Sequence, residues 1–215
     1  MQRETHTAKL VSITPKAEEQ IVYMARVSNP NNQNNSETSP RLIKYLIKHK
    51  HWSPFEMASM QVEINTTRAI AAQILRHRSF SFQEFSQRYS SVDQLGDFGV
   101  PHLRSQDTKN KQASHDNLNP EFTDLMGKKI ETLYRQSLDL YEYMLSQGVA
   151  KECARSILPL GTPTRMYMSG TIRSFIHYIQ IRAGIETQLE HRLIANAIKD
   201  IFEEQLPNVY EAAFT

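Results

Sequence analysis

The sequence predicts a chain of alternating helices and a few short strands, and three stretches carry that prediction. Met60, Val62 and Ile64 alternate with Ser59, Gln61 and Glu63, the period of two that marks a half-buried strand. Glu121–Gln147 places Met126, Ile130, Leu133, Tyr134, Tyr141 and Met144 along one stripe, the period of a long amphipathic helix. Ile172–Ala183 sets Ile172, Phe175, Ile176 and Ile179 on one side and Arg173, His177 and Gln180 on the other.

Taken in order, Ala8–Ile13 is rich in strand formers and reads as a first strand. Thr14 and Pro15 look like the cap and first turn of a helix running to about Val27. Asn29–Ser36 is a loop by composition, and Arg41–Lys50 is a second helix with Leu42, Tyr45 and Leu46 at helical spacing. Pro54 breaks the chain before the alternating strand. Thr66 or Thr67 can cap a helix over Arg68–Arg76, on which Gln73, Arg76 and His77 share a face while Ile70 and Ile74 fall elsewhere. Ser90–Pro120 is polar and broken by Gly96, Gly99 and Pro101, and reads as a surface excursion. After the long helix, Gly148 suits the position following a helix C-terminus. Val149–Ile157 is a short helix and Thr164–Ser169 a strand. Thr187 with Glu190 forms a capping box that opens a last helix ended by Pro207.

At 215 residues, 40% hydrophobic and 22% charged, the composition is that of a globular chain expected to form a single domain, residues 1–215. A net charge of +2 argues against a protein that coats nucleic acid. No apolar run reaches eighteen residues, so no membrane span is expected. The first residues lack the apolar core of a signal peptide, and a cytoplasmic protein is the expectation, in the host cytoplasm for a viral chain. One cysteine excludes an internal disulfide framework and a multi-thiolate zinc site. Cys153, between Glu152 and Ala154, reads as a small packing residue rather than an activated nucleophile. His102 and His115 read as solvated, and no metal site is expected.

The stretch Arg76–Tyr89 stands apart. It gathers Arg76, Arg78 and Arg88 with His77, Glu84, three serines and the aromatics Phe80, Phe82, Phe85 and Tyr89. Arginine forks pair with phosphate and stack on flat rings, so the set suits a ligand that carries both, such as a nucleotide. The plain alternative is a basic helix end followed by a polar loop. Arg-His-Arg, seven residues, then Ser86, continuing Gln87-Arg88-Tyr89, resembles the signature of the flavin-dependent thymidylate synthases, the ThyX family. Ser53-Pro54-Phe55-Glu56, Glu152-Cys153-Ala154-Arg155 and Thr171–Arg182 resemble further family segments in the same order. Met57 stands where the family commonly has His, Gln87 where some members have Gly, and Thr171 and His177 where others have Asn.

The resemblance implies an α/β (α+β) fold, a small mixed sheet flanked by several helices, and a homotetramer with FAD sites shared between subunits. It implies reductive methylation of dUMP to dTMP with methylenetetrahydrofolate, NADPH and FAD, without a cysteine nucleophile. It implies that Gln73, Arg76, Glu84, Ser86, Gln87, Arg88 and Arg155 hold dUMP. Ser53, Glu56, Arg76, His77, Arg78, Glu84, Thr171, Arg173 and His177 would line FAD. Arg182 would contact the uracil and stabilise its anionic form, an electrostatic role. Two rivals remain open on the residues alone. A single-strand nucleic-acid binder would use the basic and aromatic residues of Arg76–Tyr89. A metal-assisted phosphate enzyme would need histidines at ligand spacing, and only His49 and His51 come close.

Overall fold

A computed structural model describes residues 2–215, and it holds both helices and sheet. In chain order the elements are β1 (Thr7–Ile13), α1 (Ala17–Ala25), α2 (Ser39–Lys48), β2 (Ser59–Thr67), α3 (Arg68–Ile74), β3 (Ser81–Glu84), β4 (Ser105–Gln106), β5 (Ser114–His115), α4 (Pro120–Ser146), α5 (Lys151–Ala154), β6 (Pro163–Thr171), α6 (Ile172–Arg182), α7 (Leu189–Gln205) and α8 (Pro207–Phe214). Four strands form one sheet in the order β1-β2-β6-β3, and β4 pairs with β5 alone. The chain divides into two compact units. Among the described residues, the first comprises 2–6, 65–76 and 83–166, and the second 7–64, 77–82 and 167–215.

The strand with the clearest alternation behaves as its pattern requires. Met60, Val62 and Ile64 are buried, and Ser59, Gln61 and Glu63 are half-buried on the opposite face. It continues through Thr66 and Thr67, so Thr67 opens α3 in extended backbone and its side chain makes no capping bond. Helix α3 stops at Ile74 rather than Arg76. Arg76 and His77 therefore follow the helix in a turn, and the shared helical face expected for Gln73, Arg76 and His77 does not form.

The first unit is built on α4. Asn119 caps it, its side-chain oxygen accepting from the amides of Glu121 and Phe122 at 2.8 and 3.2 Å. Gly148 follows the helix end at φ 82°, the left-handed geometry that spares glycine a Cβ clash. Val92, Tyr141 and Ala154 are buried together beneath this helix. Leu133, expected in the stripe, is 60% exposed. The expected short helix over Val149–Ile157 is α5 followed by a 3₁₀ turn, Arg155–Ile157. The excursion of residues 90–120 carries more order than its composition suggests. A 3₁₀ turn spans Val92–Leu95, and β4 and β5 make a small hairpin. Asp107 pins that hairpin, accepting from the amides of Asn110 and Lys109 and from His115. The Asn110 amide first, then His115, hold its carboxyl down at about 2. His102 and His115 thus face carboxylates, Asp116 at 3.1 Å and Asp107 at 2.6 Å, rather than solvent alone.

In the second unit α7 packs against β1, α6 and α8, and α8 packs on α2. Pro207 begins α8 rather than merely ending α7, as its fixed φ allows at a first helical position. The expected capping box is absent: Gln188 occupies the N-cap of α7, and the Thr187 hydroxyl donates to the Ile181 carbonyl at 3.2 Å. Helix α1 begins at Ala17, after Lys16 in left-handed backbone, so Thr14 is not its cap. Helix α6 matches its expected pattern, with Ile172, Phe175, Ile176, Tyr178 and Ile179 buried.

Phe80 packs edge-on against Phe175 at 4.9 Å and lies over Gly170. A Cβ on Gly170 would sit 2.4 Å from a ring carbon of Phe80. Gly170→Ala is therefore expected to destabilise the protein by about 1–3 kcal/mol, because the ring must leave a well-packed site. In denaturant unfolding, Phe80→Ala should remove most of that penalty in the double variant, and strict additivity would contradict the clash.

Candidate active site

In the first unit, the end of the central motif meets the Lys151–Arg155 segment. Arg88 donates through Nε to Glu152 at 3.2 Å and pairs with it through Nη2 at 3.1 Å. The Lys151 ammonium donates to the Tyr89 carbonyl at 2.9 Å. These bonds join stretches more than sixty residues apart in sequence. Between them, the Ser86 carbonyl accepts from the amides of Tyr89 and Ser90, both at 3.0 Å, which folds Ser86-Gln87-Arg88 into a turn. The Gln87 side chain is 7% exposed and its amide nitrogen has no partner among the described residues. An unpaired buried donor costs about 1–3 kcal/mol, so it is poised for an acceptor from outside the chain. Arg76 and Arg155 make no ion pair among the described residues.

Glu84 has a different setting. It pairs with Arg68 and accepts from the Thr164 hydroxyl at 2.9 Å. Both partners went unsingled in the sequence because nothing in Arg68 or Thr164 alone points across the sheet to an edge strand. That edge strand, β3, was itself hidden inside a motif that reads as loop.

In the second unit, α6 and the Ser53–Glu56 3₁₀ turn build a cavity of about 340 Å³. Trp52, Glu56, Ser79, Arg173, His177 and Gln180 are among its lining. Arg173 pairs with Glu56. The Thr171 hydroxyl caps α6, accepting from the Ser174 amide at 3.2 Å, which fixes the turn that presents Arg173. Ser53 starts the 3₁₀ turn and is exposed, as is Arg78. Of the cavity's walls, Gln180 follows from its spacing with His177. Trp52 and Ser79 carried no signal of their own beyond adjacency to the singled-out segments.

Arg182 lies half a turn away around α6 from Arg173. It is half-buried, and its Nε donates to His77 Nε2 at 3.0 Å. Arginine only donates, so His77 accepts with a bare Nε2. The two Nη groups of Arg182 make no hydrogen bond or ion pair among the described residues. Behind them the His77 ring stands edge-on to Tyr178 at 5.0 Å, and Tyr178 Oη lies 3.0 Å from His191 Nε2. His191 is fully buried, and burial first, then Arg182 and His77, push its imidazole down to about 3. Burial pushes the Tyr178 phenol up. Burial thus holds both members of this pair in their neutral forms. Cys153, by contrast, is exposed rather than packed. Among the described residues no group of histidine, cysteine and carboxylate side chains could hold a metal ion. No helix among them is long and apolar enough to cross a membrane.

Residues 9–208 match the family model described as thymidylate synthase complementing protein. The chain is 52% identical over 214 residues to a probable flavin-dependent thymidylate synthase of Paramecium bursaria Chlorella virus 1, covering 96% of this chain and 98% of that one. It is 49% identical to the flavin-dependent thymidylate synthase of a Synechocystis strain, covering 89% and 87%. Among solved structures, a UMP/dUMP methylase, PolB from Streptomyces cacaoi bound with 5-Br UMP, is similar with a TM-score of 0.85 and 26% identity, covering 98% of this chain and 94% of that one. The chain belongs to the thymidylate synthase complementing protein family, the flavin-dependent thymidylate synthases.

Proposed function

We propose that this protein methylates dUMP to dTMP, taking the one-carbon unit from methylenetetrahydrofolate and reducing power from NADPH through FAD. The observation that carries the reading is Arg182: a half-buried guanidinium held by Nε alone, with both Nη groups making no bond among the described residues and aromatic rings close by. An arginine beside apolar rings is costly to desolvate unless an anion meets it. A uracil ring deprotonated at N3 is such an anion, and a preorganised fork is worth most where negative charge develops.

The residues of the second unit fit a flavin nucleotide by their chemistry. Arg173 and Ser79 offer donors to phosphate, Trp52 offers a flat apolar face, and His177 and Gln180 offer ring-edge hydrogen bonds. When bound, the flavin supplies the hydride that completes the methyl group and takes part in moving the one-carbon unit. Ser53, Glu56, His77, Arg78, Thr171, Arg173 and His177 bind and orient it, with Arg76 and Glu84 assigned to it by the resemblance. Glu56 holds the Arg173 fork in place, and Thr171 acts through the helix cap. Gln73, Arg76, Glu84, Ser86, Gln87, Arg88 and Arg155 hold dUMP, its phosphate falling to the Ser86–Arg88 turn. The buried Gln87 amide supplies a donor there in place of a glycine backbone. The proposed route uses no cysteine nucleophile, and Cys153 lies exposed on the first unit.

The homotetramer whose subunits share each FAD is part of the same proposal and follows from the resemblance to the family. The cytoplasm is the compartment this chemistry calls for, and residues 1–215 act as one functional domain. An absorbance titration with FAD, with and without dUMP, tests the reading. Flavin bands should travel with the protein and change when dUMP is added. Arg173→Ala should weaken FAD binding by about tenfold or more, as loss of a charge-assisted pair predicts. No retained flavin and no dUMP-dependent change at saturating FAD would remove the cofactor and the proposal with it.

A further inference from the structure

A second basic hollow lies in the same unit as the flavin set, lined by residues to which no role has been given. It has a volume of about 470 Å³. Arg26, Ser28, Thr38 and Arg41 are among its polar lining, and Ala25, Leu42 and Tyr45 form an apolar part of its wall. Arg26 is 7% exposed. Its guanidinium donates to the carbonyls of Asn32 and Asn35 and, at 2.7 Å, to the Thr38 hydroxyl. All three acceptors are neutral. Arg26 forms no ion pair among the described residues, and neither does Arg41. No acidic residue lines the hollow, and Glu37, next to Thr38 in sequence, is exposed outside it.

The local helix ends do not supply the missing negative charge. Arg26 sits at the C-terminus of α1, whose carbonyl end carries about half a negative elementary charge. The N-terminus of α2 opens on the same hollow and carries about half a positive one. The two partial charges offset each other and leave two full cations. At the start of helix α2, Pro40 has no amide to leave unpaired and the Ser39 amide donates to the Ser36 carbonyl at 3.1 Å, but nothing there supplies negative charge. Its first turn has no acidic residue, it carries Arg41 there instead, and the Thr38 side chain that would cap it is taken by Arg26. A buried cation, a second cation against a positive helix end and an acid-free cavity are together unfavourable without an anion.

We propose that this hollow is a binding site for a phosphate-bearing ligand, with Arg26 and Arg41 as its anion contacts. The arginine forks match phosphate oxygens. Ser28 and the amides of Asn29 and Asn32 supply neutral donors around them. Leu42 and Tyr45 give the hollow an apolar wall beside the arginines, which suits a phosphate carried on a larger molecule. The site is independent of the dUMP and flavin residues assigned above.

The test is a titration of the full-length protein with inorganic phosphate at constant ionic strength, followed by ³¹P NMR. Wild type, Arg41→Gln and Arg88→Gln are compared. Arg41 is exposed, so its replacement should leave the thermal midpoint unchanged. Two saturable components are expected. Arg41→Gln should weaken one by about tenfold or more and spare the other, and Arg88→Gln should do the reverse. Phosphate binding untouched by Arg41→Gln, or abolished entirely by Arg88→Gln, would overturn the site and leave Arg26 as a clamp for its loop. Neither result would bear on whether flavin binds.

Discussion

Arg182→Ala should lower turnover by about 10²- to 10³-fold while the protein still binds flavin to within a few-fold of normal. The separation of the two effects follows from α6. Arg173 and His177, which line the flavin cavity, lie on one side of the helix, and Arg182 lies half a turn away. Removing Arg182 therefore leaves the Glu56–Arg173 pair intact. What is lost is the fork whose open Nη groups are proposed to meet the uracil anion. His77 loses its Nε donor at the same time, and its bare nitrogen can take a proton or a water instead. Arg182→Lys separates charge from geometry. A lysine keeps the positive charge but not the planar fork, so it should restore only part of the activity. Steady-state turnover alongside a flavin titration makes both comparisons. Near-normal turnover in the alanine variant would end the assignment of Arg182 to the uracil.

Much of this architecture can be read from the sequence where a local rule and the tertiary environment agree. Ser59–Thr67 alternates because one face of a strand is buried, and Ile172–Arg182 splits into apolar and polar sides because one side of that helix is. The opposition of Arg173 and Arg182 follows from nine residues of helical rotation alone. The misreadings share a cause, in that the deciding partner is remote. Nothing within Ser81–Glu84 says strand, since its edge position depends on β6 eighty residues on. Thr187 and Glu190 have capping-box spacing, yet the Ile181 carbonyl and Gln188 claim them. Asp107 and Asp116 meet His115 and His102 only because a hairpin folds them together. At the site, motif spacing located the arginines, but their settings depend on partners remote in sequence. Arg88 is paired with Glu152, Glu84 with Arg68, and Arg182 with a neutral histidine.

The neutral pair behind Arg182 makes the protein acid-sensitive in a defined window. His191 is fully buried against the Tyr178 hydroxyl, near the Arg182 cation and the His77 ring. Its pKa is depressed from 6.5 to about 3 in the folded chain. The unfolded chain therefore takes up a proton near pH 6.5 that the folded chain refuses. The stability His191 contributes is complete above pH 6.5 and drains away as pH falls toward 3. At about 1.4 kcal/mol per pH unit, descent from pH 6.5 to 5 should cost on the order of 2 kcal/mol. For a chain of this size that is a fall in thermal midpoint of about 4–8 °C. His191→Leu should be less stable than wild type at pH 7.5, because it leaves the Tyr178 hydroxyl without this hydrogen-bond partner. It should nevertheless lose less stability on acidification, since leucine has no proton to refuse. Thermal denaturation of both proteins from pH 7.5 to 5 measures the difference in slope, and other titrating groups cancel in the comparison. Parallel slopes would mean that the folded chain takes up the His191 proton as readily as the unfolded one, and burial would not be holding the imidazole neutral.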